Sequence, residues 1–223
     1  MTALLVVLTV VVIVGIDVMR LWMRRRKLGE AAATQQVRPF APVAVPRGLF
    51  IDRTHTWVRV TESGEMRVGI DELLAQAMDG ADRIDLPEAG SELKRGEAMA
   101  TLWRRGRKLT VPSPIDGTVV ASNRGLARLR NVLASDPYGS GWLLAAWPLE
   151  HREALKELSI GEAARRWLER EVSKFVDFLS ARAGQGAMGV ALADGAWPAT
   201  GSALALDEKG WEEFQQTFAP LGH

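Results

Sequence analysis

Between residues 49 and 147 the chain alternates between short apolar runs and turn-forming residues. Runs of this length, bounded by Gly, Pro or charged residues, are typical of β-strands. The predicted strands are residues 49–51, 57–60, 66–70, 83–86, 98–104, 108–111, 117–121 and 141–147. Asp71 is placed to cap a short helix that ends at Met78. Many short strands with Gly and Pro corners predict a mainly β fold, either a sandwich or a small barrel.

After residue 147 the apolar residues recur at helical spacing instead. In the first predicted helix they are Trp167, Leu168, Val172, Phe175, Val176 and Leu179. Ser159 and Glu162 are spaced as a capping box at its start, and Gly184 is suited to its end. A second helix is predicted over residues 207–218, with Trp211, Phe214 and Phe218 on one face. These faces either pack on the β domain or form a groove for a partner helix.

The N-terminal residues form a separate apolar segment. Residues 3–23 contain only two charged side chains, Asp17 and Arg20, and as a helix they would be ~31 Å long, about the thickness of the hydrocarbon core. Four cations at residues 24–27 follow directly, so the positive-inside rule predicts a single-pass membrane anchor with the rest of the chain in the cytoplasm. A cleaved signal peptide would carry its cations before the apolar run. Asp17 is either a tolerated interfacial charge or a contact to another membrane helix.

Charge is distributed unevenly between the anchor region and the rest of the chain. Residues 1–48 contain seven Lys or Arg and two acidic residues, whereas the remainder contains 21 basic and 25 acidic residues. The domain is therefore mildly acidic, which argues against nucleic acid as a partner. Three spaced prolines in residues 28–47 predict a semi-extended linker. The absence of Cys excludes thiol catalysis, disulfides and thiolate metal sites.

Five strings in the β region together resemble the glycine cleavage H protein, a lipoyl-carrying β-sandwich. They are HTWVR at 55–59, VGID at 68–71 with AQ at 75–76, DLPEAG at 85–90, SPIDGTVV at 113–120 and DPYGSGW at 136–142. The last string is the most specific. The resemblance implies a lipoyl-type β-sandwich, or barrel-sandwich hybrid, and it covers roughly residues 47–150.

The chain accordingly divides into four parts. Residues 1–27 are the predicted transmembrane helix with its basic flank, and residues 28–47 are the linker. Residues 48–150 are the H-protein-like domain, and residues 151–223 are a helical C-terminal extension. The anchor and the extension are not part of the usual H-protein pattern.

The residue expected to carry the prosthetic group is absent from this sequence. The H-protein family attaches lipoate to a lysine on a hairpin, seven residues before a Ser-Pro pair, and here that position is Gly106. Trp103 replaces the glutamate of the family. Without an acylatable amine the resemblance implies no bound cofactor, and Gly106 is interpreted as a turn residue with positive φ. Lys108 is the alternative lipoate attachment site, but it requires the turn to move by two residues.

A cationic hairpin stands in place of the lysine. Residues 94–130 contain nine Lys or Arg and two acids, whereas residues 62–92 contain nine acids and two Arg. The predicted partner-binding residues are Arg104, Arg105, Arg107 and Lys108, and the predicted partner is an acidic protein surface or anionic lipid headgroups. Alternatively, the hairpin is a solvated loop on a domain whose two halves neutralise each other.

No other part of the sequence predicts a catalytic or metal site. His55, His151 and His223 are widely separated, and His55 beside Trp57 is interpreted as a packed or surface residue. We therefore expect no enzyme, but a membrane-anchored, non-lipoylated docking or structural subunit of a membrane complex. The alternatives are a lipoyl carrier of a glycine-cleavage-like system that uses Lys108, and a peripheral lipid sensor.

Overall fold

The computed structural model describes Met19 and residues 45–127, 131–182 and 198–222. Met19 is helical and exposed, and the rest of the predicted anchor, residues 1–27, lies outside the described residues. Within the described part of the chain, no helix is both long enough and apolar enough to cross a membrane. Of the predicted linker, only residues 45–47 are described.

The β domain is built from ten short strands in the described residues. They are β1 (Phe50–Ile51), β2 (Thr56–Val60), β3 (Met66–Ile70), β4 (Arg83–Asp85), β5 (Glu92–Leu93), β6 (Ala98–Arg104), β7 (Arg107–Pro112), β8 (Gly117–Ser122), β9 (Leu144–Pro148) and β10 (Ser159–Ile160). All neighbouring strands pair antiparallel. One sheet has the order β10-β1-β2-β3-β9-β8-β5, and a smaller sheet has the order β4-β6-β7.

Short helices connect the strands, and two longer helices follow them. They are α1 (Glu72–Met78), α2 (Val132–Ser135), α3 (His151–Lys156), α4 (Gly161–Arg182) and α5 (Glu208–Phe218), with 3-10 helices at Arg124–Ala127 and Ser202–Ala205. Asp71 caps α1 as predicted, because its Oδ1 accepts from the backbone N–H groups of Leu73 and Leu74 at 3.1 and 3.2 Å. Asp207 caps α5 in the same way.

Most of the strands predicted from the apolar runs are present. β3 and β6 have the predicted bounds, but β9 begins at Leu144, because Gly141 lies in a turn and donates to the backbone oxygen of Asp136 at 2.9 Å. The predicted capping box is wrong, since Ser159 is in β10 and α4 begins at Gly161. Ser159 pairs with Ile51 of β1, and in the described residues β10 is the strand that covers the edge of β1 away from β2. Gly184 lies outside the described residues.

The apolar faces of the C-terminal helices are buried against the β domain. Leu168, Val172, Phe175 and Leu179 of α4, and Phe214 and Phe218 of α5, join the same core as the inner residues of both sheets. The ring centroids of Phe175 and Phe214 are 5.6 Å apart, and those of Phe175 and Phe218 are 5.4 Å apart. The packing alternative for these faces is therefore confirmed, and the extension completes the core.

Candidate functional site

The hairpin formed by β6 and β7 is closed by a two-residue turn. Arg104 pairs with Arg107, and the turn residues Arg105 and Gly106 have φ values of 47° and 81°. Positive φ at both positions is the requirement of a type I′ turn, which matches the twist of the strands that it joins. The prediction that Gly106 is a turn residue with positive φ is confirmed, and it lies at the apex of the hairpin.

On one side of the hairpin, Arg104 of β6 binds two carboxylates that lie just before β4, those of Asp79 and Asp82. Its guanidinium donates to Asp79 at 2.9 Å and to Asp82 at 2.8 Å, and the second oxygen of Asp82 accepts from the backbone N–H of Arg105 at 2.9 Å. Burial would lower the pKa of Arg104, but the two carboxylates outweigh it and raise that pKa. The acidic and basic segments of the sequence therefore neutralise each other at this point of the fold.

The C-terminal helix α5 fastens the other side of the hairpin. Arg107 pairs with Glu208 at 3.0 Å and donates to the backbone oxygen of Leu206. Trp211 Nε1 donates to the backbone oxygen of Lys108 at 3.0 Å, and Gln215 accepts from the backbone N–H of Thr110 at 3.3 Å. Because β7 is an edge strand of the small sheet, these contacts satisfy backbone groups that would otherwise face solvent.

Lys108 lies in β7 and not in the turn. It pairs with Trp103 of β6, so the hairpin register is not moved by the two residues that a lysine at the apex would require. Its side chain is exposed, and its Nζ is 5.9 Å from the centroid of the Trp103 ring. Arg83 pairs with Trp103 from β4, the strand on the other side of β6, and its guanidinium is 4.5 Å from the centroid of the Trp103 ring.

The four cations predicted to bind a partner therefore differ in their surroundings. Arg104 and Arg107 are both paired with carboxylates of this chain, and their side chains are only 13% and 20% exposed. The side chains of Arg105 and Lys108 are exposed. Asp82 accepts from the backbone N–H of Arg105, and Asp85 is close enough to Lys108 to attract it electrostatically. Sequence reasoning located the hairpin but missed its internal partners, because Asp79, Asp82 and Glu208 are distant along the chain.

Sequence reasoning also missed a buried ionic cluster around His55. The imidazole Nδ1 is 2.7 Å from Asp71, and Nε2 is 3.5 Å from Glu171 of α4, within ion-pair distance but without the geometry of a hydrogen bond. The ring lies 4.9 Å from the ring of Trp167 and 5.8 Å from that of Phe218. Of the two alternatives for His55, packed or surface residue, the structure shows the packed one, and His55 joins the β domain to the C-terminal extension.

The charge state of His55 follows from this environment. Burial alone would lower the pKa of the imidazole, but Asp71 and then Glu171 outweigh it and raise the pKa to about 9. For Glu171, burial acts to raise the pKa, but His55 and Lys174 outweigh it and hold the value below its usual range. The imidazole is therefore an imidazolium at neutral pH, held between two carboxylates.

The most specific string of the sequence, residues 136–142, has a structural role. The backbone oxygen of Pro137 accepts from Trp57 Nε1 at 3.1 Å, and the hydroxyl of Tyr138 accepts from the backbone N–H of Glu72 at 3.4 Å. Trp57 lies so close to Gly69 that a Cβ there would be 2.6 Å from its ring. These contacts hold the loop against β2 and α1. Among the described residues, no group of three or more His, Asp or Glu could hold a metal ion.

The comparisons with known proteins agree with this fold. The model of the family described as "Glycine cleavage H-protein" matches residues 49–171. The chain is 34% identical over 109 residues to the glycine cleavage system H protein of Halorhodospira halophila, covering 49% of this chain and 84% of the relative. It is 30% identical over 125 residues to the probable H protein of Thermococcus gammatolerans, covering 56% of this chain and 92% of the relative.

Among solved structures, the crystal structure of a glycine cleavage system H protein from Mycobacterium marinum has a TM-score of 0.47 and 24% sequence identity. It covers 57% of this chain and 98% of the other. The family match extends beyond the β domain into α4, and it includes both His55 and Glu171. On the strength of this match, the chain belongs to the glycine cleavage H-protein family.

Proposed function

We propose that this protein is a membrane-anchored member of the H-protein family that carries no lipoyl group and acts as a docking or structural subunit of a membrane-associated complex. The observation that carries the proposal is the residue at the hairpin apex. Gly106 occupies the apex with a φ of 81° and has no amine to acylate. A carrier without its attachment lysine keeps a rigid domain and a shaped surface, and these suit it to binding.

The contacts of the hairpin support the same function. In a carrier, the attaching enzyme must reach a lysine at the free end of the loop, with space around it for the modified arm. Here Glu208, Trp211 and Gln215 of α5 lie along β7, and Asp79 and Asp82 hold Arg104 on the other side. A hairpin that is held on both sides is better suited to form a fixed binding surface than to carry a mobile lipoyl group.

The membrane location rests on the sequence of residues 1–27. Their apolar run and the four following cations favour an anchor with the domain in the cytoplasm. After cell fractionation, the full chain should stay with the membranes at high salt and alkaline pH, whereas a variant that lacks residues 1–27 should be released. Release of the full chain by salt alone would show a peripheral association and exclude the anchor.

The docking role is tested by purifying the full chain from membranes in a mild uncharged detergent. We expect it to elute with at least one other polypeptide at a fixed stoichiometry. Charge reversal at Arg105 and Lys108 should weaken this association. Arg104 and Arg107 are left unchanged, because reversing their charge would break ion pairs within the chain. A chain that elutes as a single polypeptide from its native membranes contradicts the role.

The second candidate function is a lipoyl carrier that uses Lys108. Membership of the family and the exposed side chain of Lys108 favour it. Coexpression with a lipoate ligase, followed by intact mass measurement, separates the two functions. A lipoyl group that is lost in Lys108→Arg and retained in Lys94→Arg, a control at another exposed lysine, would select the carrier.

A further inference from the structure

The outer face of the small sheet carries a row of aligned side chains, of which only Lys108 has been given a role above. Arg83 of β4 pairs with Trp103 of β6, and Trp103 pairs with Lys108 of β7. Residues at the same register of neighbouring strands share a face of the sheet. The adjacent row, with Leu102 and Leu109, is fully buried in the core, so the row of Arg83, Trp103 and Lys108 points away from it. We call these three residues the Trp103 row.

The row presents one aromatic ring between two cations. The Arg83 guanidinium is 4.5 Å and the Lys108 Nζ 5.9 Å from the centroid of the indole ring. Both distances are within the range of cation–π attraction, which holds flexible side chains in place. Arg105, in the adjoining turn, adds a third exposed cation.

Asp85 fixes the orientation of the indole. Its Oδ2 accepts from Trp103 Nε1 at 2.8 Å and from Arg83 Nη2 at 3.0 Å. The indole N–H is therefore satisfied within the chain. Arg83, Arg105 and Lys108 carry three positive charges against the one negative charge of Asp85, which leaves an excess of two positive charges. This local excess contrasts with the acidic balance of the domain as a whole.

We propose that the Trp103 row, together with Arg105, is the docking surface of this protein and that it binds an acidic segment of a partner protein. The inference rests on the proposed docking function and names its surface and the chemistry of its partner. Carboxylates of such a segment pair with Arg83, Arg105 and Lys108, and the Trp103 ring holds Arg83 and Lys108 in place for this contact. The complementary charges give the association its rate and its orientation.

A protein segment suits this surface better than a lipid headgroup. Each cation contributes only about 1 kcal/mol of attraction to an anionic membrane, so a face with three cations binds firmly only if apolar side chains also enter the acyl region. The large exposed apolar side chains of the described residues belong to other elements, for example Trp147, Leu149 and Ile160. Trp103 itself is only partly exposed, and its ring is already covered by cations.

The test uses the full chain in an uncharged detergent and a fluorescein-labelled synthetic peptide of Glu and Asp residues spaced by Gly. Fluorescence anisotropy should show saturable binding that weakens as salt is added. Arg105→Glu combined with Lys108→Glu should raise the Kd by about tenfold or more. Asp85→Asn, which removes a negative charge from the same face, should lower the Kd, and this gain cannot arise from misfolding.

The matched control is Arg53→Glu combined with Arg152→Glu, which changes the net charge equally at exposed residues outside the small sheet. It should leave the Kd within about twofold of the wild-type value, since distant exposed charges are screened. No saturable binding, or an equal loss in the control variant, would overturn the inference. So would binding to phosphatidylglycerol vesicles by the chain lacking residues 1–27 in the absence of peptide binding.

The outcome is separable from that of the proposed function. A lipoyl group on Lys108 would overturn the non-lipoylated role whatever the peptide does. A protein that copurifies with a membrane partner but ignores the acidic peptide keeps its docking role and loses only this surface.

Discussion

The buried imidazolium of His55 makes the stability of the fold depend on pH in an unusual range. The unfolded chain releases this proton near pH 6.5, whereas the folded protein holds it up to about pH 9. Between these values the folded state binds more protons, so its stability falls as the pH rises. The contribution is complete below pH 6.5 and is lost above about pH 9.

The size of the effect follows from the difference in proton affinity. Each tenfold change in affinity corresponds to about 1.4 kcal/mol, so a pKa raised from 6.5 to about 9 contributes about 3 kcal/mol to the free energy of unfolding. Asp71 and Glu171 supply this energy, because they are the carboxylates nearest to the imidazole. A change of this size is a large fraction of the stability of an ordinary domain.

The assay is urea unfolding, followed by circular dichroism, of the chain lacking residues 1–27 at pH values from 6.5 to 9.5. The wild-type free energy of unfolding should fall across the range by about 3 kcal/mol. His55→Asn should remove that fall, because Asn tolerates the φ of 59° at this position but does not titrate. Glu171→Gln should move the fall to lower pH, since it removes one of the two charges that raise the pKa of His55.

The control is His151→Asn, which alters an exposed histidine and leaves the cluster intact. It should reproduce the wild-type pH dependence. A wild-type stability that stays constant between pH 6.5 and 9.5, or an equal fall in His55→Asn, would refute the assignment of an imidazolium in the core.

Three further predictions concern the packing of the hairpin and the core. Gly69→Ala should lower the free energy of unfolding by at least ~1–3 kcal/mol, because its Cβ would overlap the Trp57 ring, and an unchanged urea midpoint would contradict this. Gly106→Val should lower the free energy of unfolding by ~1–2 kcal/mol, and Gly106→Asn should lower it less, since Asn tolerates positive φ. Equal urea midpoints for the two variants would argue against the type I′ turn. Trp211→Phe should cost about 1 kcal/mol by removing the N–H that donates to Lys108, and it should speed hydrogen exchange in α5.

The local elements of this fold were predictable because their signals are local. Met66–Ile70 and Ala98–Arg104 are apolar runs bounded by turn residues, and Asp71 precedes an apolar helix at the spacing of a cap. The two-residue strands β5 and β10 were missed because each combines one polar and one apolar residue and so contains no apolar run, unlike the equally short β1. They pair with β8 and β1.

The chemistry of the hairpin was only partly predictable. Counting back from Ser113 located the apex at Gly106, and the structure gives that residue the backbone conformation of a turn. The sequence did not reveal that Arg104 and Arg107 are already paired, since Glu208 is a hundred and one residues beyond Arg107. Long-range ion pairs leave no spacing pattern, and this also explains why the contact between His55 and Glu171 was missed.

The proposed function depends on the hairpin of β6 and β7 carrying no prosthetic group. The most direct test is to isolate the protein from its own cells, digest it, and measure the mass of the hairpin peptide that contains Gly106 and Lys108. We expect the mass of the unmodified peptide. A peptide heavier by a lipoyl group, with the added mass on Lys108, would contradict it.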